Sequence, residues 1–288
     1  MKHRSLRVET LEQRALLTAA TAGDFATLKQ LAESGQRYEI ALTADIVVGG
    51  DDMIAVAGNI SIDGRQVVDG VETVHSITVA FGTDRTCSFM TVSYGSLTLS
   101  NLTISGFNYV GGYGGVFQQT GGTITIDSGT TISNCGAYNG AVADIDRGTF
   151  IVSGATFSNN TAANDGGVFD LEIGTLIINS GTFSNNTAVD DGGVVYADTR
   201  IAEVTINDGL FTGNSAYIGG VAYLNSGKIT IKAGRVLGNS ASFEGGVVST
   251  TTSFSELTID DGVFTGNTAA KGGVACFSAG TVTINNGT

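Results

Sequence analysis

Two aspartates and two tyrosines occupy the same place in four successive copies of a repeated segment. Each follows a valine by two residues, and that valine follows a glycine-containing pair, as in "GGVFDL" and "GGVVYA". If the copies stack as neighbouring strands, two such acids lie at a separation compatible with the paired carboxyl groups of a glycosidase. Two acids followed by two tyrosines on one face are also candidates for sugar binding. The residues are Asp144, Asp170, Tyr196 and Tyr223.

A second acidic pair, Asp165 and Asp191, directly precedes the glycine pair in two copies, and Glu244 takes the same place two copies later. Carboxylate oxygens are calcium ligands, so Asp165 and Asp191 are candidate metal ligands. The chain contains neither a DxDxDG loop nor a calcium-binding nonapeptide repeat to strengthen that interpretation. For both sets we favour a structural role, because acids at corners cap turns and a solvated acidic face keeps a repeat protein soluble.

The repeat itself defines the fold. Each copy contains an alternating stretch such as "TITID", a stretch such as "TFSNNT" and a glycine corner, and no copy has room for a crossover helix. We therefore predict an all-β chain, a right-handed single-stranded parallel β-helix with about 26 residues per coil. The reference valines, spaced by 26, 26, 26, 27, 26 and 27 residues, are Val116, Val142, Val168, Val194, Val221, Val247 and Val274.

Stacked coils place like residues above one another in columns. An aliphatic column is predicted at Ile126, Val152, Ile178, Ile206, Ile231, Ile259 and Ile284. An aromatic column follows at Phe157, Phe183, Phe211, Val236 and Phe264, and a polar one at Asn160, Asn186, Asn214, Asn239 and Asn267, where asparagine tolerates left-handed backbone angles. With the aromatic column inward and the Asp/Tyr column outward, Phe211→Ala is expected to cost about 3–5 kcal/mol. Asp170→Ala is expected to change stability little.

The combination of FxxN and glycine-pair motifs resembles a known repeat. Phe157-Ser158-Asn159-Asn160 followed by Gly166-Gly167-Val168, with four similar copies, is similar to the chlamydial polymorphic outer-membrane protein repeat. That family usually has alanine where this chain has valine after the glycines. The resemblance covers residues 96–288, and it implies a β-helical domain that acts as a surface adhesin.

The start of the chain contains a candidate targeting motif. Residues 8–19 read "VETLEQRALLTA" and are similar to the LEPR-XLL export motif of planctomycetal proteins, with Gln13 in place of its proline. The matching residues are Glu9, Leu11, Glu12, Arg14, Leu16 and Leu17. We assign residues 1–22 to this export segment, although an amphipathic helix without a targeting role is an alternative because no continuous apolar h-region is present.

Residues 23–95 are predicted to form a cap and irregular early coils. In "GDFATLKQLAES" Asp24 is a candidate helix cap, and a short helix there would cover the open end of the first coil. The following segments alternate without the strict period, which resembles the leading coils of pectin-lyase-like proteins. The repeat β-helix is predicted to occupy residues 96–288. Its final "TVTINNGT" stops after the first strand of a coil, and we therefore expect a truncated chain.

Composition limits the classes of partner. A net charge of −13 and a pI near 4.4 argue against nucleic acid as a partner. No run of about 18 apolar residues is present, so no membrane-spanning segment is expected. Three widely separated cysteines do not form a disulfide framework, and no motif implies a cofactor, so we predict none.

These observations predict an exported protein that is located at the cell surface, associated with the outer membrane, or extracellular. Its expected role is non-enzymatic, as an adhesin or an envelope component, with carbohydrate or another cell-surface protein as the partner. Two alternatives remain open: a polysaccharide-active lyase or glycoside hydrolase of the pectin-lyase-like class, and an architectural segment of a longer surface protein. No catalytic residue is assigned under the favoured interpretation.

Overall fold

The chain forms a β-solenoid of about nine coils built from parallel sheets. The structure is a computed structural model that describes residues 18–80 and 84–288. The export motif at residues 9–17 lies outside the described residues. Each regular coil adds two segments to a long sheet, one to a short sheet and one to a third sheet, and the predicted parallel β-helix is confirmed.

Within the described residues, sheet 1 has 18 strands. They are Thr18–Ala22, Arg37–Leu42, Ile46–Val48, Asn59–Asp63, Ser76–Val79, Ser96–Ser100, Thr103–Ser105, Thr123–Asp127, Thr131–Ser133, Thr149–Ser158, Thr175–Ser184, Glu203–Ile206, Leu210–Thr212, Gly227–Ile231, Arg235–Leu237, Ser255–Ile259, Val263–Thr265 and Thr281–Ile284.

Sheets 2 and 3 complete the coil. The six strands of sheet 2 are Asn108–Tyr113, Gly136–Asn139, Thr161–Ala162, Thr187–Ala188, Ser215–Ile218 and Ser240–Glu244. The nine strands of sheet 3 are Ile54–Val56, Met90–Val92, Phe117–Gln119, Ala143–Ile145, Phe169–Leu171, Val195–Ala197, Ala222–Leu224, Val248–Thr250 and Ala275–Phe277. Each sheet 2 strand is joined to the next sheet 3 strand through a glycine pair, or in one coil through Gly140-Ala141.

The predicted inner columns are confirmed by the strand register. Ile126 pairs with Val152, Val152 with Ile178, and the column continues to Ile284. In the aromatic column the rings of Phe157 and Phe183 stack with centroids 5.0 Å apart. Both columns lie in one continuous hydrophobic core inside the coils except in the last coil, where Phe264 is only partly buried and Ile284 is 62% exposed. The period of the sequence is therefore the period of the packing.

The asparagine column forms a buried ladder. Asn160, Asn186, Asn214 and Asn239 are fully buried. From Asn186 onward, each side-chain oxygen accepts both the backbone and the side-chain N–H of the asparagine one coil earlier, whereas Asn160 Oδ1 accepts the backbone N–H of Cys135. The expectation that these asparagines themselves have left-handed angles is wrong. The left-handed position is the preceding residue in each coil, held by Gly106, Asn134, Asn159, Asn185, Gly213, Gly238 and Gly266.

The first glycine of each pair is required by its backbone angle. Gly192 has φ +69°, and a Cβ built there would lie 2.1 Å from the carbonyl oxygen of Val195. The second position differs, because Ala141 occupies it in one coil. We expect Gly192→Ala to destabilise the protein by about 1–3 kcal/mol in urea unfolding. Gly193 is unsuitable as a control, because a Cβ built there would lie 2.3 Å from the carbonyl oxygen of Gly220. Gly49→Ala is the control, since Gly49 is exposed, has no left-handed angle and offers nothing closer than 3.9 Å to an added Cβ; a loss there as large as that of Gly192→Ala would contradict this explanation of the corner.

The first coil is covered by the helix Phe25–Ala32, as the sequence predicted. Asp24 caps it by accepting a hydrogen bond of 2.8 Å from the Thr27 backbone N–H, and Leu28 and Ala32 are buried. An exposed antiparallel hairpin, Arg65–Val68 with Val71–Val74, projects from the early coils. Among the described residues, no helix has the length and apolar character needed to cross a membrane.

Candidate functional site

Sheet 3 places the four candidate residues in one column. Asp144 pairs with Asp170, Asp170 with Tyr196 and Tyr196 with Tyr223 in the parallel register. The flanking residues Ala143 and Ile145 lie in the core, so alternation along the strand puts Asp144 on the opposite face. The predicted stacking of the Asp/Tyr column is therefore present.

The expectation that this column is solvated is wrong for the two acids. Asp144 is 6% exposed and Asp170 is 5% exposed. For Asp170 the reason is the neighbouring corner, whose Asn139 side-chain amide donates a hydrogen bond of 3.0 Å to Asp170 Oδ2. The prediction that Asp170→Ala leaves stability unchanged rested on solvation and loses its basis.

The two acidic pairs, which the sequence presented as separate sites, belong to one cluster. Asn139 Oδ1 accepts hydrogen bonds from the Asn164 side chain and from the backbone N–H of Asp165, while Asn139 Nδ2 binds Asp170. Asp165 Oδ1 in turn accepts the backbone N–H of Asp191 at 3.1 Å. We call the four aspartates of this cluster the acidic corner; they are Asp144, Asp165, Asp170 and Asp191.

The candidate metal ligands are engaged in turn geometry. Asp165 accepts hydrogen bonds through both oxygens, and Asp191 has one buried oxygen without a hydrogen-bond partner among the described residues. Glu244 lies in the same column but forms an ion pair of 2.8 Å with Lys271, and Ile218 separates it from Asp191. Within the described part of the chain, no three His, Cys, Asp or Glu side chains are grouped so that they could hold a metal ion.

The two tyrosines contact each other face to face. The rings of Tyr196 and Tyr223 lie 5.6 Å apart at an angle of 10°. The Tyr196 hydroxyl donates to Asp198 at 3.4 Å, and the Tyr223 hydroxyl lies 3.1 Å from Thr251 Oγ1. This mutual stacking occupies one face of each ring, and Tyr223 is only 9% exposed, so the expectation that the column is solvated is wrong for Tyr223 as well.

Burial raises the pKa of every carboxyl group in the acidic corner. It raises the pKa of Asp144, Asp170 and Asp191 to about 7 and that of Asp165 to about 6, and neighbouring carboxylates add to the effect. Among residues 18–80 and 84–288, no Lys, Arg or His forms an ion pair with any of the four. The corner is thus a set of buried acids without a balancing cation.

Sequence reasoning missed Asn139, the residue that joins the two pairs. The signal was available, because Asn139 precedes Gly140 as Asp165 precedes Gly166, so the repeat register puts them in one column. It also missed Asp146, Glu172 and Asp198, which lie near the corner and whose charges act on it. Each lies four residues after a reference valine, Val142, Val168 or Val194, so the repeat register placed them in one column beside the Asp/Tyr column.

Comparison with known proteins gives one match. The sequence profile of the Chlamydia polymorphic membrane protein (Chlamydia_PMP) repeat matches residues 180–198, which include Phe183, Asn186 and the Gly192-Gly193 corner. No curated protein matches the chain. No solved structure matches it either. The chain is therefore a repeat β-helix with one segment similar to the Chlamydia polymorphic membrane protein repeat.

Proposed function

We propose that this protein is exported and displayed at the cell surface, where its repetitive faces serve adhesion or envelope contacts without a chemical reaction. The observation that carries the proposal is the repeat match at residues 180–198, together with the continuation of its columns through the neighbouring coils. The name of that repeat family describes a membrane protein. A rigid stack of coils is suited to presenting long surfaces.

The absence of a cationic partner supports binding over catalysis. Lyase chemistry calls for a basic residue beside the acids, and the four carboxyl groups of the acidic corner form no ion pair within the described residues. Asp144 and Asp170 are also so buried that a polysaccharide has little access to them. The partner that we propose is a carbohydrate or another cell-surface protein that contacts the exposed faces of the coils.

A second candidate function is hydrolysis of a polysaccharide. It is favoured by one observation, the raised pKa of Asp144 and Asp170 to about 7, since a general acid must hold its proton near neutral pH. Their register places them one coil apart. This candidate requires the corner to open for substrate.

Surface display is tested on intact cells that make the protein natively. We expect a membrane-impermeant amine reagent to label exposed lysines of the protein before lysis, while a cytoplasmic control protein remains unlabelled. Labelling of both proteins only after lysis would contradict the proposed location. Protease treatment of intact cells, followed by detection with an antibody against the repeats, gives an independent readout.

A further inference from the structure

Asp144 and Asp170 form a buried acidic pair that has no role in the proposed surface binding. They are register partners in adjacent coils and are at least nine-tenths buried. Asp170 accepts one hydrogen bond, from Asn139, whereas Asp144 has no hydrogen-bond donor among the described residues. A buried carboxyl group with so few donors is poorly suited to carry a negative charge.

Ionised aspartates in the same chain show the contrast. Asp51 accepts hydrogen bonds from the backbone N–H and the hydroxyl of Thr86, and these bonds hold its pKa below the ordinary value. Asp45 likewise accepts the backbone N–H of Ser76, and its pKa is lowered. The pair at the corner lacks both features, exposure to water and a set of N–H donors.

The charged groups that raise the pKa values of the pair are acidic, and the cation Arg147, which lines a neighbouring cleft with Asp146 and Glu172, forms no ion pair with either aspartate. Asp146 and Glu172 act on Asp144, and Asp165, Glu172 and Asp198 act on Asp170. The other neighbours with a defined contact or register are the neutral Asn139 amide and Tyr196, whose own pKa is raised chiefly by burial. Each acidic charge makes a second negative charge at the pair more costly.

We propose that Asp144 and Asp170 form a proton-binding site that locks the glycine corner. While the pair holds protons, the strands Ala143–Ile145 and Phe169–Leu171 remain packed beneath the corner segment Gly136–Asn139. Loss of those protons places two adjacent negative charges in a buried site without a cation and loosens this part of the solenoid. The lock is independent of the proposed surface role.

The direction of the pH dependence follows from the raised pKa values. Both carboxyl groups have a folded pKa of about 7, above the ordinary value of 3.8 that we take for the unfolded chain. Between these values the folded protein binds more protons than the unfolded chain, so its stability falls as pH rises. The contribution is complete below the unfolded value and is lost as pH passes through about 7. The two steps belong to the coupled pair and not to either residue alone.

The test is urea unfolding of the full chain from about pH 4 to about pH 9. For each proton that the folded state holds in excess, the unfolding equilibrium constant rises up to about tenfold per pH unit. We expect the wild type to show this rise and the Asp144→Asn/Asp170→Asn variant to show a flatter profile, whose remaining slope comes from Asp165 and Asp191. The matched control, Glu39→Gln/Glu203→Gln, removes two exposed charges on sheet 1, outside the acidic corner, and should keep the wild-type profile.

Two results would overturn the proposal. One is a wild-type profile that is parallel to that of the Asn variant, which would mean that the pair contributes no excess protons. The other is full recovery of wild-type stability above neutral pH when calcium is added, but not when EDTA is added, with no such recovery in the Asn variant. That result would make the acidic corner a cation site.

A second measurement follows the carboxyl groups directly. Side-chain carboxyl ¹³C shifts of the wild-type protein should reveal the four aspartates of the acidic corner titrating well above their ordinary value, and two of these signals should be absent from the Asp144→Asn/Asp170→Asn variant. If every aspartate titrates near its ordinary value, the proposal fails.

Discussion

Replacing Asn186 by alanine is expected to destabilise the β-helix by about 3 kcal/mol or more, because three fully buried polar groups each lose a hydrogen bond. The Asn160 side-chain amide then keeps only its bond to the Ile132 carbonyl oxygen. Asn186 Oδ1 accepts the backbone and side-chain N–H of Asn160, and Asn186 Nδ2 donates to the Phe157 carbonyl oxygen. Each orphaned buried group costs about 1–3 kcal/mol. Urea unfolding of the wild type and the variant measures the difference.

The neighbouring asparagine supplies the control. Asn185 is exposed and has φ +55°, and glycine takes its place in later coils, at Gly213, Gly238 and Gly266. Asn185→Gly should therefore change stability by less than about 0.5 kcal/mol. A loss from Asn185→Gly equal to that from Asn186→Ala would show that the ladder is not the source of the stability.

Phe183→Ala should cost about 3–5 kcal/mol through the cavity that it leaves in the middle of the aromatic column. The Phe183 ring stacks on Phe157 and on Phe211, with centroids 5.0 and 4.8 Å apart, and meets Phe169 edge to face. Both chemical denaturation and the midpoint of thermal unfolding should report the loss.

One coil of the aromatic column already has a smaller side chain in place of phenylalanine. Val236 pairs with Phe211 and Phe264 in the same register, so the coil accommodates a β-branched aliphatic side chain there. Phe183→Val should accordingly lose less than Phe183→Ala. If the two variants lose the same amount, the stacking of neighbouring rings contributes little beyond the burial of one side chain.

Periodicity was sufficient to predict the columns, because a parallel stack of coils repeats its register with every copy. Alternation put Ile126 and Phe157 inside, and recurrence put Asn160 above Asn186. Periodicity could not reveal the burial of Asp144, since the alternation within a strand shows only which face a residue occupies. Whether that face meets water depends on how the glycine corner folds back beside it.

The early coils mark a second limit of the sequence reasoning. The hairpin formed by Arg65–Val68 and Val71–Val74 interrupts the coil, and it went unpredicted although Asp69-Gly70 is a typical signal for a tight β-turn. A local antiparallel pair does not recur from coil to coil, so the repeated columns give no sign of it. The capping helix was predictable because its signals, Asp24 and the apolar spacing, are local.

We propose that this β-helix acts by binding and not by reaction. A polysaccharide screen tests that proposal most directly. The purified protein and its Asp144→Asn/Asp170→Asn variant are incubated with acidic and neutral polysaccharides, and both retention and the release of new chain ends are measured. We predict that no new chain ends appear with either protein, whether or not a polysaccharide is retained. New chain ends that form with the wild type and are lost in the variant would contradict the account and identify a carbohydrate-active enzyme.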